Sequence, residues 1–226
     1  MSEIKKINAV SRALSIAEEA AAIIASNKIS MARKKIELIV MGSSTGGTEA
    51  LSQVLPKLQP PLPPVLIVQH IPVGFSKLFA DRMNRESCIT IKEAEDGEII
   101  KRDWAYIAPG GIHMKLIKVG NDLKIKCFMA PPVHSCRPAV DILFQSVAEL
   151  VGAAALGVIL TGIGHDGSAG LLEMRKQGAV TLGQDEATSA VYGMPKSAFE
   201  CGAVMRQLAL SAMPLAITSI ANKNIA

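Results

Sequence analysis

From Ile36 onward the chain repeats one pattern of polarity: a short run of mostly apolar residues, a turn, then a stretch whose apolar residues recur every three or four positions. The runs are IELIVM, VLIVQ, WAYIA, LGVILT and AVTLG. Runs this apolar have no polar face to give to water, so each reads as a strand buried on both sides, as in parallel sheets covered by helices. Their alternation with amphipathic stretches predicts an α/β fold, a doubly wound and mostly parallel sheet flanked by helices. HMKLIKV and DLKIKCF depart from this rule, showing hairpin-like alternation about Gly120-Asn121, and predict a β-hairpin excursion. QPPLPP at 59–64 suits neither element and reads as a loop into the second strand.

Residues 8–26 carry Val10, Leu14, Ala17, Ala21 and Ile24 along one face of a predicted helix. The expected organisation is therefore an N-terminal helix and basic linker over 1–35, followed by one domain over 36–226. The charge supports that division. The net charge is +4, and residues 1–35 hold seven basic against three acidic side chains, leaving seventeen of each in the remainder. A domain with balanced charge and only 4% aromatic residues offers neither a phosphate-tracking face nor a base-stacking platform, so no nucleic-acid partner is expected. Cys88, Cys127, Cys136 and Cys201 form no CxxC pair, which speaks against a zinc ribbon or a thioredoxin-like motif and fits reduced thiols in the cytoplasm. The longest uncharged stretch, 58–76, is broken by five prolines, so no membrane insertion is expected; no cofactor or metal is called for either.

Candidate chemistry gathers where apolar runs end. Gly42-Ser43-Ser44-Thr45-Gly46-Gly47 follows the first strand and opens a helix, and Gly42 to Gly46 fits G-x-S-x-G. A sharp turn of this kind exposes a serine hydroxyl, here Ser44, beside backbone N–H groups that stabilise an oxyanion. The same turn is also compatible with a pyrophosphate cradle, although Ser44 stands where a dinucleotide fingerprint has glycine and Gln69-His70 where it has an acid. A structural turn without function is the third reading. A serine nucleophile needs a base, and His70, at the end of the second strand, is the histidine expected in the same layer, whereas His113 falls in the hairpin, expected at the surface. Asp166, in TGIGHDG after the LGVILT run, is the carboxylate expected to orient the base, to cap its own helix, or both. His165 is the rival base or a cleft residue; Asp185 and Glu186 are reserve carboxylates.

GSSTGG, QHIPVGF, EAEDGE, YIAPGG, CRPAVD, ILTGIGHDG and YGMP occur in this order, and over about 36–205 the chain resembles the catalytic domain of CheB-type protein-glutamate methylesterases. The resemblance implies a carboxylic ester hydrolase that releases methanol from glutamate γ-methyl esters of methyl-accepting chemotaxis receptors, with or without glutamine deamidation. It places a Ser-His-Asp triad on Ser44, His70 and Asp166, with Thr45, Gly46, Ile163 and His165 at the oxyanion site and cleft. Many members have asparagine at His165 and methionine at Ile163. Relatives usually carry a receiver domain, whereas about 35 residues precede the matching blocks, so activity without a phosphodonor is expected. A Rossmann-like nucleotide-binding enzyme and a silent receptor-binding domain are the competing readings.

Overall fold

The computed structural model of the protein describes residues 35–222. The expected helix over 8–26 and the basic residues Arg33 and Lys34 lie outside them. All five apolar runs are strands: β1 (Leu38–Ser43), β2 (Val65–Gln69), β4 (Trp104–Ile107), β7 (Ala155–Ile159) and β8 (Val180–Gln184). Two more strands, β3 (Thr90–Glu93) and β9 (Arg206–Leu208), form the edges. Each bears polar residues, TIKE and RQL, because an edge strand need not be apolar on both faces. The order is β3-β4-β2-β1-β7-β8-β9 and every pairing is parallel. The hairpin expected about Gly120-Asn121 pairs β5 (His113–Val119) with β6 (Asp122–Phe128) outside this sheet.

Strand side chains alternate between two cores. Ile39 and Met41 of β1 share one with Val65, Ile67, Leu156 and Val158, covered by α1 (Gly47–Val54), α2 (Phe75–Glu86) and α6 (Met213–Asn222). Leu38 and Val40 share the other with Leu66, Val68, Ala155 and Ile159, covered by α3 (Val140–Leu150), α4 (Ser168–Lys176) and α5 (Met194–Glu200). The hairpin joins this second layer through Met114, Leu116 and Ile125, and the Leu116 N–H donates to Ser146 Oγ of α3 at 3.0 Å. Each large apolar side chain so buried contributes about 1.5–3 kcal/mol. β1 is wholly buried, as are β2, β7 and β8.

The hairpin's packing corrects one expectation. His113 is fully buried rather than at the surface, because the first residues of β5 turn inward against α3. Its ring is satisfied twice: Nε2 lies 3.1 Å from Pro131 O, and Nδ1 accepts the Ala139 N–H at 3.2 Å. A buried imidazole with both nitrogens occupied by backbone is structural.

The chain leaves β1 for β2 on one side and returns later to β7 on the other. Diverging connections open a crevice outside the carboxyl ends of the central strands, where doubly wound sheets bind ligands. Ser44, His70 and Asp166 follow these three strands.

Candidate active site

Register sets the first two groups side by side. Ser43 pairs with Gln69 across β1 and β2, and the His70 N–H donates to Ser43 O at 3.0 Å, so Ser44 and His70 are the next residues outward on neighbouring strands. Ser43 itself is buried, and its hydroxyl donates to Gln69 Oε1 at 2.6 Å. Gln69 Nε2 in turn donates to Ser44 O and His70 O, both at 2.9 Å. This buried amide clamps the two strand ends together. The Ser44 N–H donates to Thr161 O beyond β7 at 3.0 Å, and its side chain is partly exposed.

Past Ser44 the chain must turn sharply into α1, and Gly46 supplies the left-handed backbone at φ 77 that residues with a Cβ adopt at a cost. The amides of Thr45 and Gly46 have no acceptor among the described residues, so two unpaired donors lie beside Ser44 at the start of α1. On the opposite wall Gly162 is required by space, since a Cβ there would meet Met194 Sδ at 2.2 Å and Ser44 Cβ at 2.7 Å. Ile163, 64% exposed, and His165 project from the same loop into solvent.

His70 Nε2 lies 2.7 Å from Asp166 Oδ2. The carboxylate can only accept, so Nε2 carries a proton, and in the neutral ring the lone pair is on Nδ1. Asp166 does not cap its own helix: Gly167 is the N-cap of α4, without a side-chain cap. It caps α3 instead, accepting the Val140 N–H on Oδ2 at 2.7 Å and the Asp141 N–H on Oδ1 at 2.9 Å. Burial pushes the Asp166 carboxyl up, but the His70 hydrogen bond, the two amides and the histidine charge outweigh it and hold the group below the ordinary aspartate range. It is therefore ionised at neutral pH. Asp185 accepts from Thr188 N at 3.0 Å and holds its own turn, and among the described residues it meets no histidine.

Two neighbours were not foreseen from the sequence. Cys136 Sγ lies 3.4 Å from His70 Nδ1, on the ring edge opposite Asp166. Burial, followed by the Asp166 carboxylate, pushes its thiol up, so the group facing the imidazole is S–H, a weak donor. Asp141 is 3% exposed and accepts the Gly170 N–H at 2.7 Å. Both belong to the CRPAVD block that leads into α3, which was the available signal.

A hydroxyl, an imidazole and an ionised carboxylate thus follow three neighbouring strands at the switch of a parallel sheet, and the class the fold defines is a doubly wound α/β domain. The CheB methylesterase family model matches residues 39–217, and the chain belongs to that family. It is 51% identical over 177 residues to the protein-glutamate methylesterase/protein-glutamine glutaminase of group 3 operon from Rhodopseudomonas palustris, covering 78% of this chain and 49% of the relative. The protein-glutamate methylesterase/protein-glutamine glutaminase of Chromohalobacter salexigens is 51% identical over 181 residues, 80% of this chain and 51% of the relative. The chain thus spans about half the length of these curated relatives. The crystal structure of the Thermotoga maritima CheB methylesterase catalytic domain superposes with a TM-score of 0.80 at 35% identity, covering 83% of this chain and all of that one. No helix among the described residues is long and apolar enough to cross a membrane.

Proposed function

We propose that this chain hydrolyses glutamate γ-methyl esters on chemotaxis receptors in the cytoplasm, using Ser44 as nucleophile, His70 as base and Asp166 to orient and charge-balance the imidazole. The observation that carries the reading is the 2.7 Å bond between His70 Nε2 and Asp166, formed at the strand end next to Ser44. Because Nε2 bears the proton, Nδ1 is the atom that takes the proton of Ser44 as Oγ attacks the ester carbonyl. The weak S–H donor of Cys136 yields that nitrogen to the hydroxyl. The C–OCH3 bond breaks, methanol leaves with the proton from Nδ1, and water then cleaves the acyl-serine by the same route to free the γ-carboxylate. The unpaired amides of Thr45 and Gly46 are the nearest donors for the oxyanion. The relatives are also named glutaminases. The same attack on a γ-carboxamide releases ammonia in place of methanol.

The test is methanol release from receptor carrying labelled methyl groups. Ser44→Ala is expected to lose several powers of ten in turnover, as removal of a triad member does, while receptor binding persists. A variant retaining more than about a tenth of the wild-type rate removes Ser44 from the mechanism. Binding without methanol release by the wild type favours a silent receptor-binding domain, and stabilisation by nucleotide favours the Rossmann-like alternative.

A further inference from the structure

A second histidine cluster lies at the rim of this crevice. His134 Nδ1 and His165 Nε2 are 3.0 Å apart, with ring centroids 4.4 Å apart, and both residues are exposed. The far nitrogen of His134, Nε2, lies 3.1 Å from Asp141 Oδ2. Asp141 is itself fixed, its side chain 4% exposed and its Oδ1 held by the Gly170 N–H. The carboxylate accepts, so the His134 proton sits on Nε2 and its Nδ1 lone pair points at His165. Metal-ligating histidines are oriented in this manner, with the ring N–H given to a buried carboxylate and the other nitrogen left for the ion.

The backbone invests in presenting this ring. His134 and Ser135 have φ values of 50 and 61, and Val133 and Cys136 bond to each other across them, so the pair forms a two-residue turn with both centres left-handed. Residues with a Cβ adopt that conformation at about 1–2 kcal/mol each.

We propose that His134 Nδ1 and His165 Nε2 together bind a borderline divalent transition ion, Zn2+ being the representative, with water completing its shell. Ring nitrogens sit about 2.0–2.1 Å from Zn2+, so a tetrahedral pair is separated by about 3.3 Å. The nitrogens need to part by only a few tenths of an ångström from the 3.0 Å observed, with each ring turning so that its lone pair meets the ion beside the line between them. In the metal-free state the His165 Nε2–H donates to His134; on binding, that proton moves to solvent-facing Nδ1 of the same ring, and both facing nitrogens present lone pairs. Two imidazoles select the later first-row ions over Mg2+ and Ca2+, which require oxygen ligands. The site touches the catalytic layer through Asp141, whose N–H donates to Asp166. It would make the crevice rim responsive to transition metal.

The test is calorimetric titration of the full chain, without a histidine tag, with ZnCl2 near neutral pH. The wild type is expected to take up one equivalent and to give no heat with MgCl2. His134→Asn and His165→Asn, both surface changes, should each weaken Zn2+ by more than about tenfold, and Asp141→Asn by about 10–100-fold. Cys136→Ser should leave the affinity unchanged. His70, Cys136 and Asp166 also offer ligand atoms within 4.8 Å of one another. A tenfold loss in Cys136→Ser would therefore place the ion there and overturn the proposal, as would absence of binding to the wild type, unchanged binding in His134→Asn, or unchanged binding in His165→Asn, which would place the ion among His134, Asp141 and Asp166. None of these readouts depends on ester hydrolysis.

Discussion

Replacing Asp166 separates its two duties by number of bonds. In Asp166→Ala three acceptor contacts disappear, and two of their donors are amides in the buried first turn of α3, Val140 N and Asp141 N. An unpaired buried N–H costs about 1–3 kcal/mol, so alanine should cost about 2–6 kcal/mol, a large share of the about 5–15 kcal/mol typical of a domain. Asparagine keeps one oxygen. Placed at Oδ2 it retains the Val140 and His70 bonds, and only the Asp141 N–H is left facing an NH2 group; the opposite orientation saves one bond and loses two. The favoured orientation predicts about 1–3 kcal/mol, roughly half the alanine value. Both variants lose the charge that stabilises imidazolium, so both should fall by powers of ten in methanol release.

The pH dependence supplies an internal control. The native Asp166 carboxyl lies below its unfolded value of about 3.9, so its contribution is complete above that pH and disappears as pH falls through the native value. The stability gap between wild type and Asp166→Asn should therefore narrow below about pH 4. Urea unfolding followed by circular dichroism, with slopes compared, reads all three quantities. Alanine and asparagine each costing under about 1 kcal/mol, or equal costs, would refute Asp166 as the cap of α3.

Gly162→Ala should destabilise the domain by about 1–3 kcal/mol through overpacking against Met194 and Ser44 and lower turnover beyond what the lost folded fraction explains; full turnover per folded molecule would show that Ser44 does not depend on that wall. Burial, with Asp96, Glu98 and Glu93 nearby, pushes the Cys127 thiol up to about 12, whereas Cys88 is exposed. Brief iodoacetamide treatment of native protein near pH 8, read by peptide mass spectrometry, should modify Cys88 and spare Cys127; equal labelling would contradict the half-buried placement of Cys127.

Where burial was two-sided, the pattern of the chain was sufficient. The five apolar runs became strands of the sheet with bounds shifted by a residue or two, and the hairpin emerged with its turn at Gly120-Asn121. The edges β3 and β9 escaped because TIKE and RQL carry no run long enough to stand apart from loops. Local signals likewise place Ser44, His70 and Asp166 at strand ends. They cannot tell which helix Asp166 caps, because α3 begins some 25 residues upstream and meets it only through packing. The same distance in sequence hid Cys136 and the pairing of His134 with His165, and alternation alone could not reveal that β5 buries His113 against another element.

Gln69 gives the site a mechanical character. Its side chain reaches three groups of the turns that carry Ser44 and His70, and Gln184 does the equivalent beneath Thr161, accepting the Thr161 N–H at 2.9 Å and donating to Thr188 O at 2.8 Å. The placement of Ser44, His70 and Thr161 relative to one another is thus held by amide hydrogen bonds made within the fold itself. For the proposed hydrolysis the adjustment then falls to the substrate: an ester at the end of a flexible, solvent-borne side chain supplies it with its own rotamers, whereas an ester held in a packed groove cannot.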